Sequence, residues 1–141
     1  MSHTFYSPSQ IKNYQVSSDR KLFSANHKEI EQGLTTDIYF IRAQDILKEL
    51  NLEKTVVTAE IFARKSGLFV GVQEVYNLLK GRNIQLWSLP EGESFQPKET
   101  LMRIQGAYDE FGFYETVILG ILASSSAWAT AARQCQNVAC G

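Results

Sequence analysis

The side chains best equipped for chemistry in this chain are few, and their spacing excludes more than it permits. The two histidines, His3 and His27, lie in a polar arm and at the charged start of a helix, so no Ser/His/Asp relay forms around them. Cys135 and Cys140 stand near the end with no second pair, which excludes a four-ligand zinc site and a disulfide framework, and they read as reduced thiols. Nine glycines occur, but none falls into the GxxxxGK or GxGxxG spacing that cradles phosphate. What remains is Asp37, Tyr39 and Arg42 in the run TTDIYFIR. An aspartate at a helix start accepts N–H bonds, a tyrosine presents an aromatic face, and an arginine pairs with carboxylates. Their offsets of two and five residues do not put them on one helical face, and a cap, a packing tyrosine and a solvated arginine would also account for them. Arg42 has Asp45 as an alternative partner on its own helix.

The elements that must position these residues follow from periodicity. Met1 to Lys21 is polar and irregular and reads as an extended arm, with residues 1–25 outside the packed unit. Asn26 caps a short helix through Gln32, which Gly33 stops. Thr36 or Asp37 caps a longer one whose apolar positions Ile38, Ile41, Ile46, Leu47 and Leu50 recur at helical spacing, with Asn51 as its end. From Thr55 the period becomes two: Val57, Ala59, Ile61 and Ala63 fall on one side of a strand, and Val56, Thr58, Glu60, Phe62 and Arg64 on the other. Ser66-Gly67 makes a turn, Gly71 to Leu79 a helix closed by Gly81, and Ile84 to Trp87 a strand. Pro90-Glu91-Gly92 makes a turn, Ser94-Phe95 a short strand, and Leu101 to Ile104 another. Tyr108 to Gln136 keeps helical spacing without proline, and small residues fill its second half, which lets it lie close against another backbone. This order is α+β, a small β-rich unit with flanking helices and a long C-terminal helix.

Composition supports a globular chain of 141 residues, 44% hydrophobic, with fourteen basic and fifteen acidic residues and a net charge of -1. There is no Lys/Arg cluster of the kind that binds nucleic acid or an anionic membrane. The apolar stretch Phe111 to Ala132 holds Glu115 and several hydroxyls and is too polar to span a bilayer. No basic region followed by an apolar run opens the chain, so a cytoplasmic location is expected.

Several segments together carry a resemblance. TTDIYFIR followed by AQDIL is similar to the head of the first long helix in nicotinate phosphoribosyltransferases. VTAEIFARKSGLFVGVQEVYNLL resembles that family's strand, turn and helix, including Gly67 and Gly71. PEGESFQPKETLMRIQGAYDEFGFYETVILGILA resembles its strand, glycine and long helix with an ET pair, here Glu115-Thr116. The resemblance covers about Leu34 to Arg133. It departs in the long helix, where Ser126-Ala127-Trp128-Ala129-Thr130 replaces a motif like SGIAT, so Trp128 implies a roomier neighbour or another packing partner.

The resemblance implies that residues 1–141 are the N-terminal domain of a type II phosphoribosyltransferase, with a small hammerhead or barrel-sandwich-like β unit and an α/β barrel expected after residue 141. The full enzyme would join nicotinate to phosphoribosyl pyrophosphate, releasing nicotinate mononucleotide and pyrophosphate for NAD biosynthesis. Tyr39, with Asp37 and Arg42, would contact the pyridine ring bound in a neighbouring subunit's barrel, which requires at least a homodimer. Magnesium, and ATP if its hydrolysis is coupled, are the cofactors implied for that enzyme. Its metal ligands and catalytic groups would lie on the barrel, and the isolated chain is expected to be inactive.

Three other readings compete. Quinolinate phosphoribosyltransferase shares the domain design, but TDIY and the lack of a basic cluster suited to a dicarboxylate stand against it. A lipoyl-like carrier module needs an exposed hairpin lysine in an acidic or methionine setting, which neither Lys65 nor Lys98 has. A stand-alone pyridine-binding protein would apply if the gene ended at Gly141.

Overall fold

The computed structural model describes residues 27–139. The arm, the Asn26 cap, His3 and Cys140 lie outside the described residues. Helix α1 (His27–Glu31) ends at Gly33, whose φ of +76° is the left-handed stop that its sequence predicts. Helix α2 spans Ile38–Glu49, and Asn51 takes φ +56° just beyond its end. Then come β1 (Val56–Phe62), β2 (Gly67–Leu68), α3 (Val72–Leu79), β3 (Ile84–Ser88), β4 (Ser94–Phe95) and β5 (Thr100–Ala107). Helix α4 (Tyr108–Phe111), a 3₁₀ turn (Gly112–Tyr114) and helix α5 (Glu115–Ala139) complete the chain.

The fold is α+β. Strand β5 is central in a three-stranded antiparallel sheet of order β1-β5-β3, and β2 pairs with β4 in a second small sheet. Register places Glu60 opposite Arg103 and Thr58 opposite Gln105. Both cross-strand pairs are bonded, Arg103 Nε donating to Glu60 at 2.9 Å and Gln105 Nε2 to Thr58 Oγ1 at 3.0 Å. On the other side of β1, Val57, Ala59 and Ile61 pack on the core, as alternation predicts, while Val56 and Phe62 face outward.

The core lies between this sheet and the first half of α5. Phe69, Val75, Met102, Ile104, Ile118, Ile121 and Leu122 are all buried, each stabilising the fold by about 1.5–3 kcal/mol. Along α5 the contact stripe runs Ile118, Ile121, Leu122 and then Ser125, Ser126, Ala129, Thr130, the i, i+3, i+4, i+7 pattern with large side chains giving way to small ones. The small half bonds directly to main chain. Ser126 Oγ accepts from the Val70 N–H at 3.0 Å and donates to the Val70 carbonyl at 3.2 Å, and Thr130 Oγ1 accepts from the Leu68 N–H at 2.9 Å. Gly71, at φ +107°, passes so near that a β-carbon there would lie 3.0 Å from Ile121 Cγ2. Trp128, by contrast, is exposed.

The apolar positions Ile38, Ile46 and Leu50 recur at helical spacing and the helix forms, but they are exposed, and Phe40 is the buried residue of this helix. One expectation needs correction. The helix expected from Tyr108 to Gln136 is broken by the turn at Gly112–Tyr114. There Phe111, Gly112 and Tyr114 are buried while Tyr108 folds back over Gly112, so packing overrides local helical preference.

The turn at Pro90-Glu91-Gly92 does more than reverse the chain. Glu91 reaches the start of α3 and accepts from the N–H groups of Gly71 at 2.7 Å, Val72 at 2.9 Å and Gln73 at 3.4 Å. A distant carboxylate thereby supplies the cap that Gly71 lacks.

Candidate functional site

Asp37 occupies the N-cap position of α2 with extended backbone, φ −72° and ψ 144°, yet its carboxylate makes no cap bond to the helix. Its carbonyl accepts from the Phe40 N–H at 3.0 Å. The carboxylate turns instead to the first turn of α5, where Thr116 Oγ1 donates to Asp37 Oδ2 at 3.0 Å. The same hydroxyl accepts from the Asp37 N–H at 3.4 Å. The head of α2 is thus clasped to α5 by one side chain, joining the TDxY and ET segments, which lie 79 residues apart in sequence.

Two residues on, Tyr39 projects outward, 56% exposed. Its neighbour Phe40 is buried, with the two ring centroids 4.1 Å apart and the planes inclined at 39°. One aromatic anchors the helix and the other is presented. The Tyr39 phenol is raised above its ordinary value, first by partial desolvation, then by the charges of Glu115 and Asp37. Tyr108 is raised likewise, by desolvation, then Glu115, then Tyr39. The Glu115 carboxyl is itself raised by desolvation. Tyr39, Tyr108 and Glu115 are therefore within electrostatic reach of one another, where α2, α4 and α5 begin.

This corner is well supported. The Tyr108 N–H donates to the Thr55 carbonyl at 3.0 Å and the Asp109 N–H to that of Glu53 at 3.3 Å. Lys54 Nζ pairs with Asp109 Oδ2 at 2.5 Å. These contacts tie the entrance of α4 to the segment leading into β1 and fix where Tyr108 stands.

The three residues expected to face the substrate do not converge equally. Asp37 and Tyr39 meet the Glu115-Thr116 pair. Arg42 is exposed and makes no hydrogen bond or ion pair with another described residue, including Asp45. Tyr108 was not singled out by sequence; the signal was its place four residues before Gly112, a spacing that brings its ring over a residue with no side chain. What the corner offers chemically is an exposed aromatic face beside two carboxylates, suited to holding a flat ring. Among the described residues no three His, Cys, Asp or Glu side chains gather as metal ligands. No described helix is long and apolar enough to cross a membrane.

The helix, small antiparallel sheet and long helix, with the TDxY head docked on the ET pair, define the N-terminal domain of a type II phosphoribosyltransferase. Residues 37–126 match the family model described as the quinolinate phosphoribosyl transferase N-terminal domain, and the chain belongs to that family. The match begins at Asp37, the residue that carries the clasp. A solved structure of nicotinate-nucleotide pyrophosphorylase from Pyrococcus furiosus is 40% identical, with a TM-score of 0.65 over 72% of this chain. The chain spans 27% of that protein's length. A nicotinate-nucleotide pyrophosphorylase from Francisella tularensis aligns over 77% of this chain and 39% of its own, at 13% identity and a TM-score of 0.45.

Proposed function

We propose that this chain is the ring-contacting part of a nicotinate phosphoribosyltransferase that acts in pyridine nucleotide biosynthesis in the cytoplasm. The observation that carries this reading is Tyr39, an exposed aromatic face at a helix head locked in place through Asp37 and Thr116. In the reaction, the pyridine nitrogen attacks the anomeric carbon of phosphoribosyl pyrophosphate as pyrophosphate leaves. Catalysis then consists mainly of holding the ring in line and stabilising charge as it moves. Tyr39 stacks on the ring and takes no part in proton transfer; Arg42 supplies the cation on the same helix for the ring carboxylate. The rest of the site, with its phosphate and magnesium ligands, comes from a barrel domain of a partner subunit in at least a dimer.

A preference for one carboxylate rather than two is supported by the company Tyr39 keeps. Desolvation raises its phenol first and the charges of Glu115 and Asp37 raise it further, and the two carboxylates would oppose a second anionic group on the ring. A second reading, a decarboxylating quinolinate phosphoribosyltransferase, is favoured by the description of the matching family. The two separate cleanly when full-length protein is given phosphoribosyl pyrophosphate with either acid. Pyrophosphate release with nicotinate and none with quinolinate is expected. Release of carbon dioxide from quinolinate, with no turnover of nicotinate, would replace the first reading by the second.

A further inference from the structure

We propose that Thr116 is a positioning residue for the pyridine site, acting through Asp37 to hold Tyr39 in its binding orientation. The inference rests on the reading of Tyr39 as the side chain that meets the ring.

The geometry is specific to this role. A single hydroxyl bonds both the main chain and the side chain of Asp37, accepting from its N–H at 3.4 Å and donating to Oδ2 at 3.0 Å. Fixing both leaves the first turn of α2 little freedom to rotate about its axis. Among the described residues these are the two hydrogen bonds that join α2 to the segment 108–139. The carboxylate at an N-cap ordinarily turns inward to the N–H groups two or three residues on. Here it forgoes that bond for the tertiary one. A helix that surrenders its own cap gains placement from the exchange. The beneficiary is Tyr39, because neighbouring Phe40 is already secured by burial whereas Tyr39 has an open face whose direction follows the orientation of the helix head.

A merely structural hydroxyl would behave differently. Both bonds lie at the surface, where competition from water leaves a hydrogen bond little net worth to global stability, so loss of the hydroxyl should register in substrate use before it registers in melting. Thr116→Val keeps the branched shape and removes both bonds.

The test uses the full-length enzyme, with nicotinate and quinolinate as the pyridine substrates and phosphoribosyl pyrophosphate varied independently. Thr116→Val is expected to raise the KM of the pyridine acid about tenfold, equivalent to loss of one charge-assisted hydrogen bond. The KM of phosphoribosyl pyrophosphate should change by less than about twofold, because that ligand does not depend on Tyr39. Thr116→Ser, which restores the hydroxyl, should return the pyridine KM to within about threefold of the parent. Should Thr116→Val fail to fold, Thr116→Ala makes the same cut with less bulk, and the same split decides. The proposal is overturned if both KM values rise together, if serine fails to rescue, or if Tyr39→Ala impairs pyridine binding while Thr116→Val leaves it intact. If Tyr39→Ala itself changes nothing, the reading of the site fails, and the role of Thr116 falls with it.

Discussion

The ring of Tyr108 occupies the space that a side chain on Gly112 would need: a β-carbon there would lie 2.5 Å from Tyr108 Cζ. Gly112 has an ordinary helical backbone, φ −57° and ψ −32°, so the glycine is required by proximity and not by conformation. Gly112→Ala is expected to push Tyr108 out of the corner and to destabilise the domain by about 1–3 kcal/mol, the usual cost of overpacking. Urea unfolding of the variant measures this. An unchanged midpoint would mean that the ring swings aside freely.

Tyr39 presents the opposite balance. With more than half its surface in water, Tyr39→Ala should alter stability by no more than about 0.5 kcal/mol. In the full-length enzyme the same change should raise the pyridine KM by about tenfold or more, through loss of stacking and buried area. Tyr39→Phe, which keeps the face, should behave nearly as the parent. Steady-state kinetics with each acid checks both, and a phenylalanine variant as poor as the alanine one would assign the function to the hydroxyl.

Glu91 is a cap supplied from another part of the chain. Because it serves three N–H groups at the start of α3, Glu91→Ala should cost about 1–2 kcal/mol and lower the urea midpoint without changing the slope. Hydrogen exchange at Gly71 and Val72 should accelerate more than at the β5 amides. Uniform acceleration across the domain would contradict a local capping role.

The raised carboxyl of Glu115 makes stability depend on pH in a defined direction. Desolvation penalises its charged form, so the folded state holds the proton more tightly than the unfolded state does. The contribution is most favourable below the ordinary value of 4.5 and declines as pH rises through the higher folded value. Glu115→Gln should flatten this part of the stability–pH curve. Thermal melts of both proteins across the weakly acidic range provide the comparison, and parallel curves would exclude Glu115 as the source.

Much of this architecture is legible in the amino-acid sequence. Alternation from Val57 to Ala63 assigned the buried side of β1, and Gly33 and Gly81 marked helix ends whose positive φ angles bear out the reading. The ET pair and TDxY were each visible as separate segments. Their meeting was not, because a bond between residues 37 and 116 leaves no local period. Glu91 escaped for the same reason: capping is ordinarily sought within three or four residues, and this carboxylate acts across about twenty. In α2, periodicity located the helix but reports only that a face is apolar and not what covers it.

The joint between α5 and the segment that follows β2 reads only one of its two partners as a side chain. Ser126 bonds the N–H and carbonyl of residue 70, groups that any amino acid other than proline possesses, whereas the hydroxyl at 126 is irreplaceable by most others. The two sides of this joint therefore carry unequal mutational freedom. Substitution at 70 is limited by the space around it, and substitution at 126 by the loss of both bonds. A designer grafting this helix onto another small sheet would need to copy the serine and threonine spacing, but could leave the recipient segment's side chains to serve some other purpose.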